Sequence, residues 1–356
     1  MAGVPTNELT TPSLAMRVRN AVHLHNVKYP ARNWILSPWL KQRMLVLVHA
    51  PTGVGKSWFC WSLAVGIASG KGFADWACEN PAKVLIIDGE MQPDDLQDRL
   101  KFLMHCLELS DEQKEVLKNN LLVIARQDQA LDTEFPDLHD PEGQEILLDD
   151  IRTLNPEVVI LDNLSTLADL PDENAASSYN SIFKFLTRLK QERTGILVHH
   201  DRKGSTKDSS EGYRGSSKMA AIFEQRIHIS KVEDHKKPKD TGACFYTEFK
   251  KNRYLGDETL KSRIFALHPD EGWTIQSDED EILTQVAEAV RSCTYISQAE
   301  LGEYFGHQKA WANKKIRKCM IQGLLTESEW LNSVQKAKEK QALEAMDERA
   351  LQELTL

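Results

Sequence analysis

The sequence predicts an α/β fold, in which a mostly parallel sheet is followed by a small C-terminal winged helix-turn-helix. Uninterrupted apolar runs at 44–49, 84–88, 121–125, 158–162 and 195–200 alternate with helical stretches, as strands of a parallel sheet covered on both faces do. Near residue 276 the alternation stops, and the acidic stretch Ser277-Asp-Glu-Asp-Glu281 precedes a compact set of helical patterns. A length of 356 residues exceeds one minimal domain and is short for three, so a principal domain with an appendage is expected.

The elements follow in order. Residues 1–30 read as an N-terminal leader with one short amphipathic piece at 14–24. The principal domain is expected over 31–276. Its first strand, Met44-Leu-Val-Leu-Val-His49, is ended by Pro51, Gly53 and Gly55 and followed by a helix over 56–68. The strand at 84–88 leads through Gly89-Glu90-Met91 to a helix over 93–107, and the strand at 121–125 gives way to an acidic, proline-containing segment at 127–141. Helices at 141–154 and 177–193 precede the strands at 158–162 and 195–200. Residues 201–217 hold glycines, serines and charges but almost no apolar side chains, which reads as an exposed loop. Strands at 225–232 and 244–249 flank a hydrophilic turn, and 265–276 adds an edge strand.

In the appendage, expected over 277–330, helices at 282–292, 298–305 and 309–322 are followed by Gly323-Leu-Leu-Thr-Glu327 as the start of a β-wing. Ser297-Gln-Ala-Glu300 is a capping-box start for the second helix. This spacing is that of a winged helix-turn-helix. A charged, helix-prone tail at 331–356 completes the chain.

Composition narrows the function classes. Hydrophobic residues at 41% and charged residues at 27% are ordinary for a globular protein and argue against general disorder. A net charge of -9 means that the surface as a whole does not attract nucleic acid, so such binding has to come from local basic clusters. The six cysteines are scattered without a C-x-x-C pair, as reduced thiols of a cytoplasmic protein are. No window approaches the roughly 18 uncharged apolar residues of a membrane span, so no membrane association is expected.

The chemistry concentrates at residues 50–57, Ala-Pro-Thr-Gly-Val-Gly-Lys-Ser. Gly53 and Gly55 let the backbone approach closely and turn N–H groups toward phosphates, and the following helix N-terminus adds its dipole. Pro51, Thr52, Gly53, Val54, Gly55, Lys56, Ser57 and Trp58 are the expected nucleotide contacts. Lys56 would reach the β and γ phosphates of ATP, and Ser57 would hold Mg²⁺. The first motif position is Ala50 instead of glycine. Asp162 ends a buried strand where a carboxylate can reach the Mg²⁺ hydration shell, unless it only caps a loop. Glu90, just beyond the second strand, is placed to orient and deprotonate a water, unless it pairs with a surface cation; Asp88 reads as strand-bound. His199 and His200 point to opposite faces of their strand, so one of the two is expected to donate toward the γ-phosphate or the following loop.

Residues 50–57, Asp88-Gly-Glu-Met91, Leu161-Asp-Asn-Leu164, His199-His200 and Arg214-Gly-Ser-Ser217, taken as an ordered set, resemble the RecA-like P-loop ATPases of the RepA type, the hexameric replicative helicases of plasmids and phages. The resemblance covers about residues 30–255. It implies a ring of six RecA-like domains, ATP at each interface and single-stranded DNA in the channel. By position it makes Lys56 and Ser57 the phosphate and Mg²⁺ ligands, Glu90 the catalytic base, Asp162 the second metal carboxylate, and the His pair a sensor coupling nucleotide to the loop at 201–217. Lys251-Asn-Arg253 resembles the Lys-x-Arg pair that related rings insert into a neighbour's site, where an arginine stabilises charge on the transferred phosphoryl group; a solvated strand end is the alternative, and Arg226 a weaker candidate.

Two basic clusters could meet DNA. Arg202, Lys203, Lys207, Arg214 and Lys218 belong to the loop, where six copies would make a dense positive ring. Lys309, Lys314, Lys315, Arg317 and Lys318 sit on the third helix of the appendage, which could meet duplex DNA or a protein partner. A DNA motor, a helicase of a mobile element, is the leading expectation. A RecA-like recombination accessory ATPase on single-stranded DNA and an ATP-switched DNA-binding regulator are the alternatives.

Overall fold

The computed structural model describes residues 18–172, 175–201, 221–232, 237–238, 240–252 and 260–353. Two compact units are distinguished, Met1–Asn33 and Trp34–Leu356. Among its described residues the first contributes one short helix, α1 (Ala21–Asn26), which buries no residue. Its N-cap Asn20 accepts a hydrogen bond from the His23 N–H at 2.7 Å. Of the amphipathic piece expected at 14–24, residues 14–17 lie outside the described residues; in the rest the helix begins after Asn20, which supplies the cap that a helix start needs.

The second unit opens with a small antiparallel pair, β1 (Trp34–Leu36) and β2 (Leu40–Lys41). There follow β3 (Leu45–Ala50), α2 (Lys56–Ser69), β4 (Val84–Asp88), α3 (Pro93–Cys106), α4 (Asp111–Asn120), β5 (Leu121–Ala125), α5 (Pro141–Leu154), β6 (Val158–Asp162), α6 (Leu164–Leu167), α7 (Asn180–Glu192) and β7 (Thr194–His200). The sheet is completed by β8 (Gln225–Lys231), β9 (Ala243–Asn252), β10 (Arg263–His268) and β11 (Gly272–Ser277). The nine strands lie in the order β11-β10-β9-β8-β3-β7-β6-β4-β5. From β5 to β8 all neighbours are parallel, whereas β8 to β11 run as an antiparallel meander. The α/β class and the mostly parallel sheet expected from the sequence are present.

Period-two alternation distributes each strand between two cores. Val46, Val48, Val84, Ile86, Val158, Ile160, Ile196 and Val198 face the core that holds α2. Leu45, Leu47, Leu85, Ile87, Val159, Leu161 and Leu197 face the core that holds α5 and α7. Burial on both faces explains why these strands read as continuous apolar runs. Aromatic rings fill the first core beneath β9 to β11: Phe59 meets Phe245 at 6.1 Å, and Phe245 stacks on Phe265 at 5.7 Å.

After the sheet come α8 (Asp278–Arg291), α9 (Gln298–Tyr304), α10 (Lys309–Ile321) and α11 (Glu327–Glu353). Leu283, Val286, Ala287 and Val290 recur at helical spacing on α8 and meet Leu301, Ala312, Ile316 and Cys319 in a separate small core. The expected cap at Ser297 is there, its side chain accepting from the Glu300 N–H.

The expected β-wing is not: the chain turns at Gly323 (φ 72°) and enters α11. Thr326 and Glu329 form a reciprocal cap, the Thr326 hydroxyl accepting from the Glu329 N–H at 3.1 Å and the Glu329 carboxylate accepting from the Thr326 N–H at 2.7 Å. That Thr-x-x-Glu pair is a helix-start signal strong enough to exclude a strand there. The expected boundary at 330 falls inside α11, whose Ser333 hydroxyl donates to the Val290 carbonyl. The start of the tail thus belongs to the small core. Among the described residues no helix is long and apolar enough to cross a membrane.

Candidate functional site

The site lies where β3, β7, β6 and β4 end. Beyond Ala50 the chain turns with positive φ at Gly53 (74°) and Gly55 (124°) and enters α2 at Lys56. A Cβ on Gly55 would stand 2.5 Å from the Phe245 ring, so glycine is required there by both conformation and space. The Lys56 ammonium folds back on its own loop, donating to the carbonyls of Ala50 (3.2 Å) and Pro51 (3.0 Å) and to His200 Nδ1 (3.0 Å). Burial holds its pKa below the ordinary lysine value, against the attraction of Asp162 and Asp201.

Across the cleft, Asp162 ends β6 at 3% exposure. Burial, together with the neighbouring Asp88 charge, pushes its pKa up to about 6, opposed by a hydrogen bond from Ser57. Asp162 Oδ2 is buried with no hydrogen-bond partner. A hydroxyl, a carboxylate and that unsatisfied oxygen form a hard-oxygen set suited to Mg²⁺ and its water shell, so Ser57 and Asp162 fit the role expected of them. Asp88 closes the turn after β4 by accepting from the N–H groups of Glu90 (2.9 Å) and Met91 (2.7 Å), which makes it structural, as expected. Glu90 is left exposed at the rim, its carboxylate accepting from Asn163 Nδ2 at 2.9 Å.

The two histidines separate as strand geometry requires. His199 is fully buried on the α7 face, edge-on to Tyr179 at 5.9 Å. It does not line the cleft, which corrects its candidacy as a catalytic residue. His200 faces α2 and does line it. Its pKa is lowered, by burial first and the Lys56 charge second. Because an ammonium can only donate, His200 Nδ1 accepts from Lys56, and the neutral ring carries its proton on Nε2. That N–H is available to a phosphate oxygen.

The cleft measures about 640 Å³ and is lined by Thr52 to Trp58, Glu90, Asp162 and His200; Pro51 meets it only through the carbonyl that holds Lys56. A second cavity of about 710 Å³ shares Trp58, Met91 and Arg99 with it.

Lys251 sits elsewhere. It pairs with Arg226, which pairs with Leu47 midway along β3, and β9 continues from there away from the phosphate loop. Neither Lys251 nor Arg226 lines the cleft of its own chain. On α10, Lys309, Lys314 and Arg317 are exposed, while Lys315 and Lys318 are half-buried; the Lys315 ammonium lies 6.0 Å from the Trp311 ring. Arg202, Lys203, Lys207, Arg214, Lys218 and Arg253 lie outside the described residues.

Five contributors were not found from the sequence. Arg99 on α3 stacks on Trp58 at 4.4 Å, and its buried Nε and Nη1 have no hydrogen-bond partner. Burial lowers its pKa, with Asp162, Asp88, Asp95 and Glu90 pulling the other way. Its signal was weak, a single arginine within a charged helical pattern. Asn163 positions Glu90, Phe245 seats Gly55, and Lys231 at the end of β8 and Lys237 in the β8–β9 connection reach the cleft; none of these has a local signature.

A family model described as an AAA domain matches residues 12–206, more than half of the chain. Among curated proteins none matches. The crystal structure of a KaiC-like protein from the hyperthermophilic archaeon Pyrococcus horikoshii OT3 is similar at 15% identity and a TM-score of 0.48, over 69% of this chain and 99% of that one.

Proposed function

This chain belongs to the AAA domain family, and from that premise we propose that it is an ATP-hydrolysing motor acting on DNA, a ring-shaped replicative helicase of the RepA type serving a plasmid or phage. That it is a P-loop ATPase follows from family and fold; the motor, the DNA and the ring are the reading proposed.

The supporting observation is the 3.0 Å contact between Lys56 and His200. Lys56 is the phosphate-binding lysine and His200 the last residue of β7, one residue before Asp201 and two before the cationic stretch of Arg202, Lys203, Lys207, Arg214 and Lys218. A γ-phosphate arriving at Lys56 would take over the ammonium and free His200, so hydrolysis is linked to the segment richest in DNA-binding charge. In this reading Glu90 holds the attacking water and accepts its proton, Asn163 orients Glu90, and Arg99 donates to the charge developing on the phosphoryl group. Mg²⁺, held through Ser57 and Asp162, would neutralise phosphate charge. The nucleotide base fits the aromatic cavity bounded by Trp58 and Phe102. Lys251, which does not line its own cleft, and Arg253, which lies outside the described residues, are in this reading supplied to a neighbouring subunit, which calls for a homo-oligomer, a hexamer in the related rings.

The test is ATP turnover with and without single-stranded DNA, alongside strand displacement from a forked duplex. Turnover stimulated by DNA and strand displacement, both lost in Lys56→Ala, are expected. Turnover indifferent to DNA would remove the motor reading. Stimulation without displacement would favour the recombination accessory, and weak turnover with sequence-specific duplex binding the ATP-switched regulator.

A further inference from the structure

On the sheet face opposite α2, His49 of β3, His228 of β8 and Asp201 just past β7 converge, and nothing in the ATPase chemistry uses them. His49 and His228 are register partners on adjacent parallel strands, with rings stacked at 4.9 Å. Asp201 is tied to β3 by its N–H, which donates to the Ala50 carbonyl at 2.9 Å. Its carboxylate spans both rings: Oδ1 lies 2.8 Å from His49 Nδ1 and Oδ2 3.2 Å from His228 Nε2.

We propose that His49, Asp201 and His228 form a binding site for a divalent late first-row transition ion of the zinc class. The ligand types are those such ions select, two imidazoles and a carboxylate. In a tetrahedral site, bonds of about 2.0–2.2 Å place neighbouring ligand atoms roughly 3.3–3.6 Å apart, so the 2.8 and 3.2 Å separations found would open by less than about 1 Å to admit an ion. All three ligand atoms lie within 4.8 Å of one another.

Charge supplies an independent argument. Asp201 is 7% exposed, and the ion pairs of its carboxylate among the described residues are to these two imidazoles alone. A carboxylate so placed needs a positive charge beside it. The nearby Lys56 ammonium is committed to Ala50, Pro51 and His200. His228, with 26% side-chain exposure, leaves the ion a way in and a position for water. Through the Asp201–Ala50 bond an ion here would stiffen the strand end from which the phosphate loop departs. The inference does not rest on the helicase reading.

The experiment uses the full chain, stripped with chelator and held in saturating Mg²⁺ so that the Ser57–Asp162 position is occupied. Zn²⁺ is titrated by calorimetry, and Co²⁺ by visible absorption. One equivalent per chain is expected, with a Co²⁺ spectrum free of thiolate charge transfer, since the six cysteines would otherwise compete. His228→Asn and Asp201→Asn should each weaken binding by at least about tenfold and abolish the rise in Tm that Zn²⁺ gives the unaltered chain. Because His228 is partly exposed, its variant reports even if Asp201→Asn fails to fold. No binding, a thiolate band, or unchanged affinity in the folded His228→Asn protein would overturn the proposal and leave a hydrogen-bonded His–Asp–His bridge with its proton on an imidazole.

Discussion

The carboxyl edge of the sheet and the C-terminal helical module both carry many charges, but they carry them in opposite ways. At the sheet edge Lys56, Asp88, Asp162 and Asp201 are 7% exposed or less, and each is held by a specific partner: Lys56 by His200, Asp162 by Ser57, Asp88 by two backbone N–H groups, Asp201 by two imidazoles. In the module, Lys309, Lys314 and Arg317 are exposed over a core of Leu283, Val286, Leu301 and Ile316. Burying an ionised group is costly unless it is paired, so the buried set is tightly constrained and its geometry implies chemistry. Exposed cations cost little to place, and their presence implies no more than a favourable surface for a polyanion.

If that contrast is sound, substitutions should grade in effect from the edge to the module. Glu90→Gln should lower ATP turnover by about 10²–10⁴-fold while nucleotide affinity is retained, because Glu90 is exposed and its fold contacts are few; single-turnover hydrolysis beside equilibrium ATP binding measures both. Lys56→Ala should cost on the order of 10²–10³-fold in turnover and should weaken binding too. Turnover surviving either change would break the comparison.

The pH profile sharpens it further. His200 accepts from Lys56 only while neutral, and its folded pKa lies below the ordinary imidazole value of 6.5. The competent form therefore persists above that value, and activity should stay level as pH falls to about 6.5 and decline below it, as an imidazolium comes to face the Lys56 ammonium. His200→Asn should remove the imidazolium part of that acid limb, leaving a decline near pH 6 from protonation of Asp162.

Gly55→Ala should destabilise the fold by about 1–3 kcal/mol, seen as a lowered Tm, since the added methyl meets Phe245 at a backbone angle that alanine avoids. The smallest effect belongs to the module. Replacing Lys315, Arg317 and Lys318 together by alanine should change stability by no more than about 0.5 kcal/mol. The same replacement should flatten the salt dependence of duplex DNA binding, lowering its logarithmic slope by roughly 0.9 for each phosphate that is no longer neutralised.

Much of this was legible in the chain itself. The five long parallel strands could be read because four of them, β3, β4, β6 and β7, are buried on both faces, which leaves polar residues mainly at their ends, and the edge strand β5 is apolar throughout. The pair β1–β2 could not, being three and two residues long and set among polar neighbours. Helix α4 was missed although Ser110 and Gln113 form a full capping box ahead of it, and the wing was expected where Thr326 and Glu329 cap a helix. In both places a cap signal within four residues outweighed the composition around it. That Lys56, Ser57, Glu90 and Asp162 line one cleft could be read from the sequence because each sits at a fixed step from the end of a strand. Arg99 and Phe245 were not found, because their relation to the site crosses from α3 and β9 with no local mark.

By itself the sequence determined that β3 ends in a phosphate-binding turn, that carboxylates end β4 and β6, and that His199 and His200 face opposite ways, since turns, strand ends and period-two alternation are local properties of the backbone. Which histidine meets the phosphate loop was decided only when α2 packed on one face of the sheet and α7 on the other. That Asp201 bridges His49 and His228 was decided only by strand order, because β7, β3 and β8 are neighbours in space though 152 and 27 residues separate the partners of Asp201 along the chain. Pairing between distant strands is set by the burial of whole faces, and no local stretch of sequence contains that information.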